Sequence, residues 1–288
     1  MTATSDQTPA IRSTDPSPVA FRLEDAELRY GERVIWTGLD LAVRRGEFLA
    51  VLGPNGSGKT SLLRVLLGLQ PLSRGTVEIA GRPPHRGSTA MGYIPQQKVL
   101  DPFTPMRPRD LVRMGMDGHR WGLPRPWRTD ARVTRRRVEE LLDAVGASAY
   151  ADVPLGLLSG GEQQRVRVAQ ALATDPRILL CDEPLLALDM QHRRAVSALI
   201  DQRRRTHNTA VVFVTHEINP VLGIVDRVLY LVDGRFRIGR AEEVMTSATL
   251  SELYGTPVDV LNVHGRLIVV GAPDAPADHP HTPRQDET

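Results

Sequence analysis

The stretch Gly53-Pro54-Asn55-Gly56-Ser57-Gly58-Lys59-Thr60 decides the fold. It has the spacing GxxxxGK[ST], and it follows an apolar run, Phe48-Leu49-Ala50-Val51-Leu52, that reads as a buried strand. Its three glycines let the backbone curl until its N–H groups point inward at an anion. The helix expected from Lys59, carrying Leu62, Leu63, Val65, Leu66 and Leu67, adds the positive end of its dipole. Strand, loop and helix in this order read as a phosphate cradle. Lys59 suits contact with β- and γ-phosphates, and the Thr60 hydroxyl suits an Mg2+ ion.

A second motif narrows the class: Leu158-Ser159-Gly160-Gly161-Glu162-Gln163-Gln164-Arg165. A serine and two glycines precede an apolar-periodic helix (Val166, Val168, Ala169, Leu172), making another helix N-terminus suited to an anion. Together the two motifs resemble the ATP-binding subunit of an ABC (ATP-binding cassette) transporter, whose signature is LSGGxxxR. The resemblance implies an α/β fold of the P-loop NTPase type, with a mostly parallel central sheet, an N-terminal antiparallel β-subdomain and an α-helical subdomain. It also implies that Ser159, Gly160 and Gly161 serve the ATP held by Gly53 to Thr60 and Ser61 of a second copy, with two nucleotides sandwiched between subunits.

The remaining motifs follow in the family's order. Arg177-Ile178-Leu179-Leu180-Cys181-Asp182 reads as a central strand buried on both faces and ending in a carboxylate. Glu183 comes next, and period-two alternation sends the two carboxylates in opposite directions. In the resemblance Asp182 orients the Mg2+ shell and Glu183 polarises the attacking water. Ala210-Val211-Val212-Phe213-Val214-Thr215 is another buried strand with His216 at its carboxyl end, where ligands gather in open α/β sheets. The resemblance makes His216 the switch histidine at the γ-phosphate. It makes Gln96, after Met91-Gly92-Tyr93-Ile94-Pro95, the glutamine that touches Mg2+ and links the site to a membrane partner. Tyr30 matches the aromatic that stacks on adenine. The family usually reads S-A-L-D after Glu183-Pro184; here Leu186-Ala187-Leu188-Asp189 keeps Asp189 and replaces the serine hydroxyl with Leu186.

Composition bounds the alternatives. The 288 residues are 41% hydrophobic, enough for a large core, and no apolar run reaches the roughly 18 residues of a membrane span. No basic-then-apolar segment opens the sequence, so a secretory leader is not expected. One cysteine, Cys181, excludes a disulfide within the chain and fits a reducing compartment. A formal charge of +2 is too slight for a nucleic-acid surface. Arg132, Arg135, Arg136 and Arg137, interleaved with Val133, Val138, Leu141 and Leu142, read as the solvated face of a helix.

Residues 1–20 and 272–288 read as disordered tails, with His279 and His281 as solvated side chains. Between them, residues 21–271 read as one cassette without internal repeats: 21–97 and 160–240 as the nucleotide-binding core, about 98–158 as the helical subdomain. Asp233-Gly234 reads as a tight hairpin turn. The resemblance implies a peripheral subunit on the cytoplasmic face of the membrane, paired with integral permease subunits and indirectly with an extracytoplasmic solute-binding protein. The stretches from Gln97 to Trp121 and from Leu253 to Val258 resemble cassettes of zinc, manganese and iron importers, with iron-siderophore or haem import as the alternative. A translation ATPase would commonly carry two cassettes. A DNA-repair ATPase would interrupt the cassette with a coiled coil, and no sustained heptads lie between Gln96 and Leu158.

Overall fold

The protein is described by a computed structural model that covers residues 18–96, 105–117, 129–186 and 188–271, with the side chains of 129–131 left aside. The Gln97–Trp121 stretch in part, Ala187, His279 and His281 lie outside the described residues.

In chain order the elements are β1 (Val19–Tyr30), β2 (Arg33–Arg44), β3 (Phe48–Leu52), α1 (Lys59–Leu66), β4 (Arg74–Ile79), β5 (Met91–Ile94), α2 (Pro108–Asp117), α3 (Thr129–Ala144), α4 (Gly160–Ala171), β6 (Ile178–Asp182) and α5 (Met190–His207). There follow β7 (Ala210–Val214), β8 (Arg227–Val232), β9 (Arg235–Gly239), α6 (Ala241–Val244), α7 (Ser247–Tyr254), β10 (Asp259–Val263) and β11 (Arg266–Val270). The main sheet has the order β5-β6-β7-β3-β8-β9. Its first five strands run parallel, and β9 returns antiparallel from β8. A separate antiparallel sheet, β2-β1-β4, takes its first two strands from before β3 and its third from after α1.

Alternation along β3 divides the interior into two cores. Phe48, Ala50 and Leu52 join the core that contains α4, α5 and the carboxyl-terminal helices, while Leu49 and Val51 join the core with α1 and the antiparallel sheet. All five residues of β3, β6 and β7 are buried, as the continuous apolar runs require of strands covered on both faces. The turn between β8 and β9 places Asp233 at φ 42° and Gly234 at φ 82°, the left-handed pair that matches strand twist in a two-residue hairpin.

Two features differ from the sequence reading, and a third lies where it assigned no elements. Strand β1 begins at Val19, within the stretch expected to be unstructured. On α3, Arg135 and Arg136 are solvated and pair with Glu139 and Glu140, but Val133 is also exposed, at 64%, and Arg137 is only partly exposed and pairs with Asp175. Beyond residue 240 the chain builds α6, α7 and a two-stranded hairpin, β10-β11, whose residues Val260, Leu267 and Val269 pack on the larger core.

Candidate functional site

The phosphate-loop candidate leaves β3 and enters α1 through backbone that other residues could not share. Gly53 has φ 138°, and a Cβ there would sit 2.0 Å from the Leu231 carbonyl oxygen. Gly58 has φ 96°, and its Cβ would meet Ile35 Cγ2 at 2.4 Å and Trp36 Cδ1 at 2.9 Å. The loop is therefore pressed against β2 and β8, and glycine is what permits the approach. Lys59, 6% exposed, donates from Nζ to the carbonyls of Gly53 (2.7 Å) and Pro54 (2.8 Å). Burial lowers its pKa, opposed by the carboxylates of Glu183 and Asp182.

Three strand ends converge beyond it. Thr60 Oγ1 donates to Asp182 Oδ1 at 3.2 Å, and the Tyr93 hydroxyl donates to Asp182 Oδ2 at 3.3 Å. Burial raises the pKa of Asp182, and these two hydrogen bonds oppose the rise. Burial, with Asp182 alongside, pushes Tyr93 up to about 12. Glu183 leaves β6 at φ 47°, with its N–H on the Val214 carbonyl, and its carboxylate takes different partners from those of Asp182. A non-glycine residue in this region is strained, a condition that clusters at functional sites. Gln96 Nε2 donates to Glu183 Oε2 at 3.3 Å, and His216 Nδ1 lies 3.8 Å from the same oxygen, beyond hydrogen-bond length.

Gly53, Pro54, Asn55, Gln96, Glu183 and His216 share a cleft of about 880 Å³. Ser159, Gly160 and Gly161 do not line it. Ser159 caps α4 in a reciprocal capping box: the Glu162 N–H donates to Ser159 Oγ (3.3 Å), and the Ser159 N–H donates to Glu162 Oε2 (2.8 Å). Gly161 lies against the His192 ring, which a Cβ would approach to 2.5 Å. His192 Nδ1 in turn pairs with Asp189 Oδ2 at 2.7 Å, and Asp189 caps α5 through the His192 N–H. Tyr30 is 43% exposed, with its hydroxyl 3.4 Å from Ser61 Oγ on α1. Leu186 lines the cleft, where the family's serine would stand.

Against this geometry the comparisons are decisive. A profile of the family described as "ABC transporter" matches residues 36–186. The chain is 31% identical to the zinc transport system ATP-binding protein TroB of Treponema pallidum, over 82% of this chain and 87% of that protein. The chain belongs to the ABC transporter ATP-binding family. Like its relatives, this ABC cassette is an ATPase that powers import. It is also 32% identical to the manganese transport system ATP-binding protein MntB of Bacillus subtilis, over 81% of this chain and 91% of that one. A solved ATP-binding cassette, a dimer in a post-hydrolysis state with ADP and Pi, superposes with a TM-score of 0.64 at 27% identity, covering 76% of this chain and 98% of that one. Other relatives are named for import of sulfate/thiosulfate, aliphatic sulfonates, Fe(3+) ions and hemin.

Two contributors escaped the sequence reading of this ABC cassette. Tyr93 was read only as part of the run before Gln96, yet its hydroxyl holds Asp182. His192 carries no motif, and only the absence of room at Gly161 reveals it. No helix among the described residues is long and apolar enough to cross a membrane.

Proposed function

We propose that this ABC cassette hydrolyses Mg2+-bound ATP between two copies of itself and powers import of a metal ion, zinc, manganese or iron. The cassette occupies residues 21–271, with the helical subdomain at about 98–158 and tails at either end. The site fits a nucleotide triphosphate. Ser57 Oγ is buried without a hydrogen-bond partner among the described residues, and the buried Lys59 ammonium donates its hydrogen bonds to the Gly53 and Pro54 carbonyls. Phosphate oxygens are stronger acceptors for both. Gly53 to Ser61 would cradle the phosphates. Thr60, Asp182 and Gln96 would hold Mg2+, which neutralises phosphate charge when bound.

Glu183 accepts the proton of the attacking water. Its carboxylate is free of Asp182's task, since Thr60 and Tyr93 bond Asp182 while Gln96 bonds Glu183. A general base contributes about 10² to 10⁴-fold, or roughly 3 to 5 kcal/mol of the barrier. Gln96 and His216 flank that carboxylate and orient water and γ-phosphate. Tyr30 stacks on adenine. Ser159, Gly160 and Gly161 lie outside their own cleft, which supports their serving the γ-phosphate of the second copy, with Asp189 placing them through His192. Leu186 leaves that junction without one hydroxyl contact.

The observation that carries the cargo assignment is that TroB and MntB match over nearly their whole lengths. The cassette sits peripherally on the cytoplasmic face of the cell membrane, and integral permease subunits with an extracytoplasmic solute-binding protein complete the importer, with no nucleic-acid partner. A haem or iron-siderophore cargo is the second reading, favoured by HmuV of Streptomyces coelicolor, 34% identical over 86% of its length. Deleting the gene should lower cellular zinc, manganese or iron under limitation, with growth restored by excess of that metal. Unchanged metal content alongside lost uptake of an organic solute overturns the cargo and leaves the ATPase standing.

A further inference from the structure

Strands β10 and β11 pair from Asp259↔Val270 through Leu261↔Ile268 to Val263↔Arg266. Alternation turns Val260, Leu267 and Val269 onto the core. The other face carries Leu261, Val263, Ile268 and Val270, exposed at 49%, 44%, 45% and 49%. Four large aliphatic side chains side by side on one small sheet form a contiguous apolar patch rather than scattered surface residues.

The patch is self-complementary in charge. Asp259 stands on its open end and Arg266 on its turn end, both exposed. A two-fold axis crossing the strands at the Leu261–Ile268 pair lays the apolar side chains of one hairpin over those of another. It also brings Asp259 of each copy to the end where the long side chain of Arg266 of the other lies. This is the arrangement an isologous contact requires. Residues 272–288 contain no Val, Leu, Ile, Met, Phe, Trp or Tyr, so the chain's own following segment offers only alanines and prolines as apolar cover for the patch.

The patch is also tied to the nucleotide cleft. The Asn219 side chain pairs with both backbone groups of Leu267 on β11, Nδ2 donating to its carbonyl at 2.9 Å and Oδ1 accepting from its N–H at 2.8 Å. Asn219 and His216 belong to one loop and line the cleft together with Leu267 and Val269.

We propose that the outer face of the β10-β11 hairpin docks on the same face of a second copy of this chain, as a contact that does not need nucleotide. It adds to the ATP-driven pairing proposed above and rests on it only for its place in the working dimer. Four side chains from each copy fall well short of the ~800 Å² per partner of a stable interface, so the contact alone is weak. Its effect is to keep two cassettes near each other once the nucleotide sandwich opens.

A symmetric cysteine tests this, because the native Cys181 is fully buried. In the two-fold arrangement Leu261 meets its own counterpart. The full chain carrying Leu261→Cys, without nucleotide and under mild oxidation, should form a disulfide-linked dimer at least ~10-fold faster than the chain carrying Val133→Cys on α3, whose site is more exposed. Asp259→Arg in the Leu261→Cys background should slow the reaction, and adding Arg266→Asp should restore it. Equal rates for the two cysteine variants overturn the proposal. So does dimerisation that appears only after residues 272–288 are removed, which gives the patch to that segment, or Leu261→Cys cross-linking to a permease subunit rather than to itself in the assembled transporter. All of these are read without ATP, so a failed nucleotide sandwich would leave them unchanged.

Discussion

Replacing Gly58 by alanine should separate two physical demands on the phosphate loop. The new Cβ would sit at φ 96°, a conformation that costs an L-residue roughly 1–2 kcal/mol. It would also drive into Ile35 Cγ2 at 2.4 Å and Trp36 Cδ1 at 2.9 Å. Trp36 is fully buried, so β2 has little freedom to yield, and overpacking of this kind costs about 1–3 kcal/mol. The sum is about 2–5 kcal/mol, a large part of the ~5–15 kcal/mol that holds a domain folded. Gly87→Ala supplies the control. Its φ is 73° with nothing within 4 Å, so only the backbone cost applies. Urea unfolding should therefore place Gly58→Ala about 1–3 kcal/mol below Gly87→Ala at equal m. ATP affinity should fall in Gly58→Ala alone, because α1 and Lys59 follow directly from the displaced residue. Two variants within ~0.5 kcal/mol of each other, both binding ATP normally, would refute the claim that the loop is held by close packing on β2.

Lys59→Ala should weaken ATP binding and turnover together, whereas Glu183→Gln should keep affinity and lose about 10² to 10⁴-fold in kcat; equal loss of affinity in both contradicts their separate roles. Tyr30→Ala should weaken ATP by about 1–3 kcal/mol, measured by equilibrium titration, and an unchanged Kd would remove the stacking role. Cys181, buried with its thiol pKa pushed up by desolvation, should resist thiol reagents at neutral pH until urea unfolds the chain. Rapid labelling of the folded protein would mean that β6 is not covered on both faces.

Local patterns made most of the nucleotide region legible. An apolar pentad before a glycine-rich loop with GxxxxGK[ST] spacing reads as a covered strand feeding a phosphate-type turn, and β3, β6 and β7 all lie where their apolar runs ended in Gly53, Asp182 and Thr215. The Asp233-Gly234 turn was legible because two consecutive left-handed residues are a property of the dipeptide itself. The carboxyl-terminal hairpin was not, because Asp259 to Val270 alternates with apolar residues on both faces, and only the core beneath shows which face is inside. Val133 misled for a similar reason: helical spacing places it on a stripe, but the stripe is wider than the surface it packs against. Tyr93 and His192 belong to contacts between elements far apart in sequence, and no spacing rule reports those.

The most direct test of the account is the mass of the Glu183→Gln protein at low micromolar concentration, measured by light scattering with and without Mg-ATP. Ser159, Gly160 and Gly161 lie outside their own cleft, and in the proposed shared site they would meet the γ-phosphate of a second copy. Saturating Mg-ATP should move the mass from 31.8 kDa to twice that value. Ser159→Arg, which places bulk and charge at the N-terminus of α4, should abolish the shift. A Glu183→Gln protein that binds ATP and stays at 31.8 kDa would contradict the shared site.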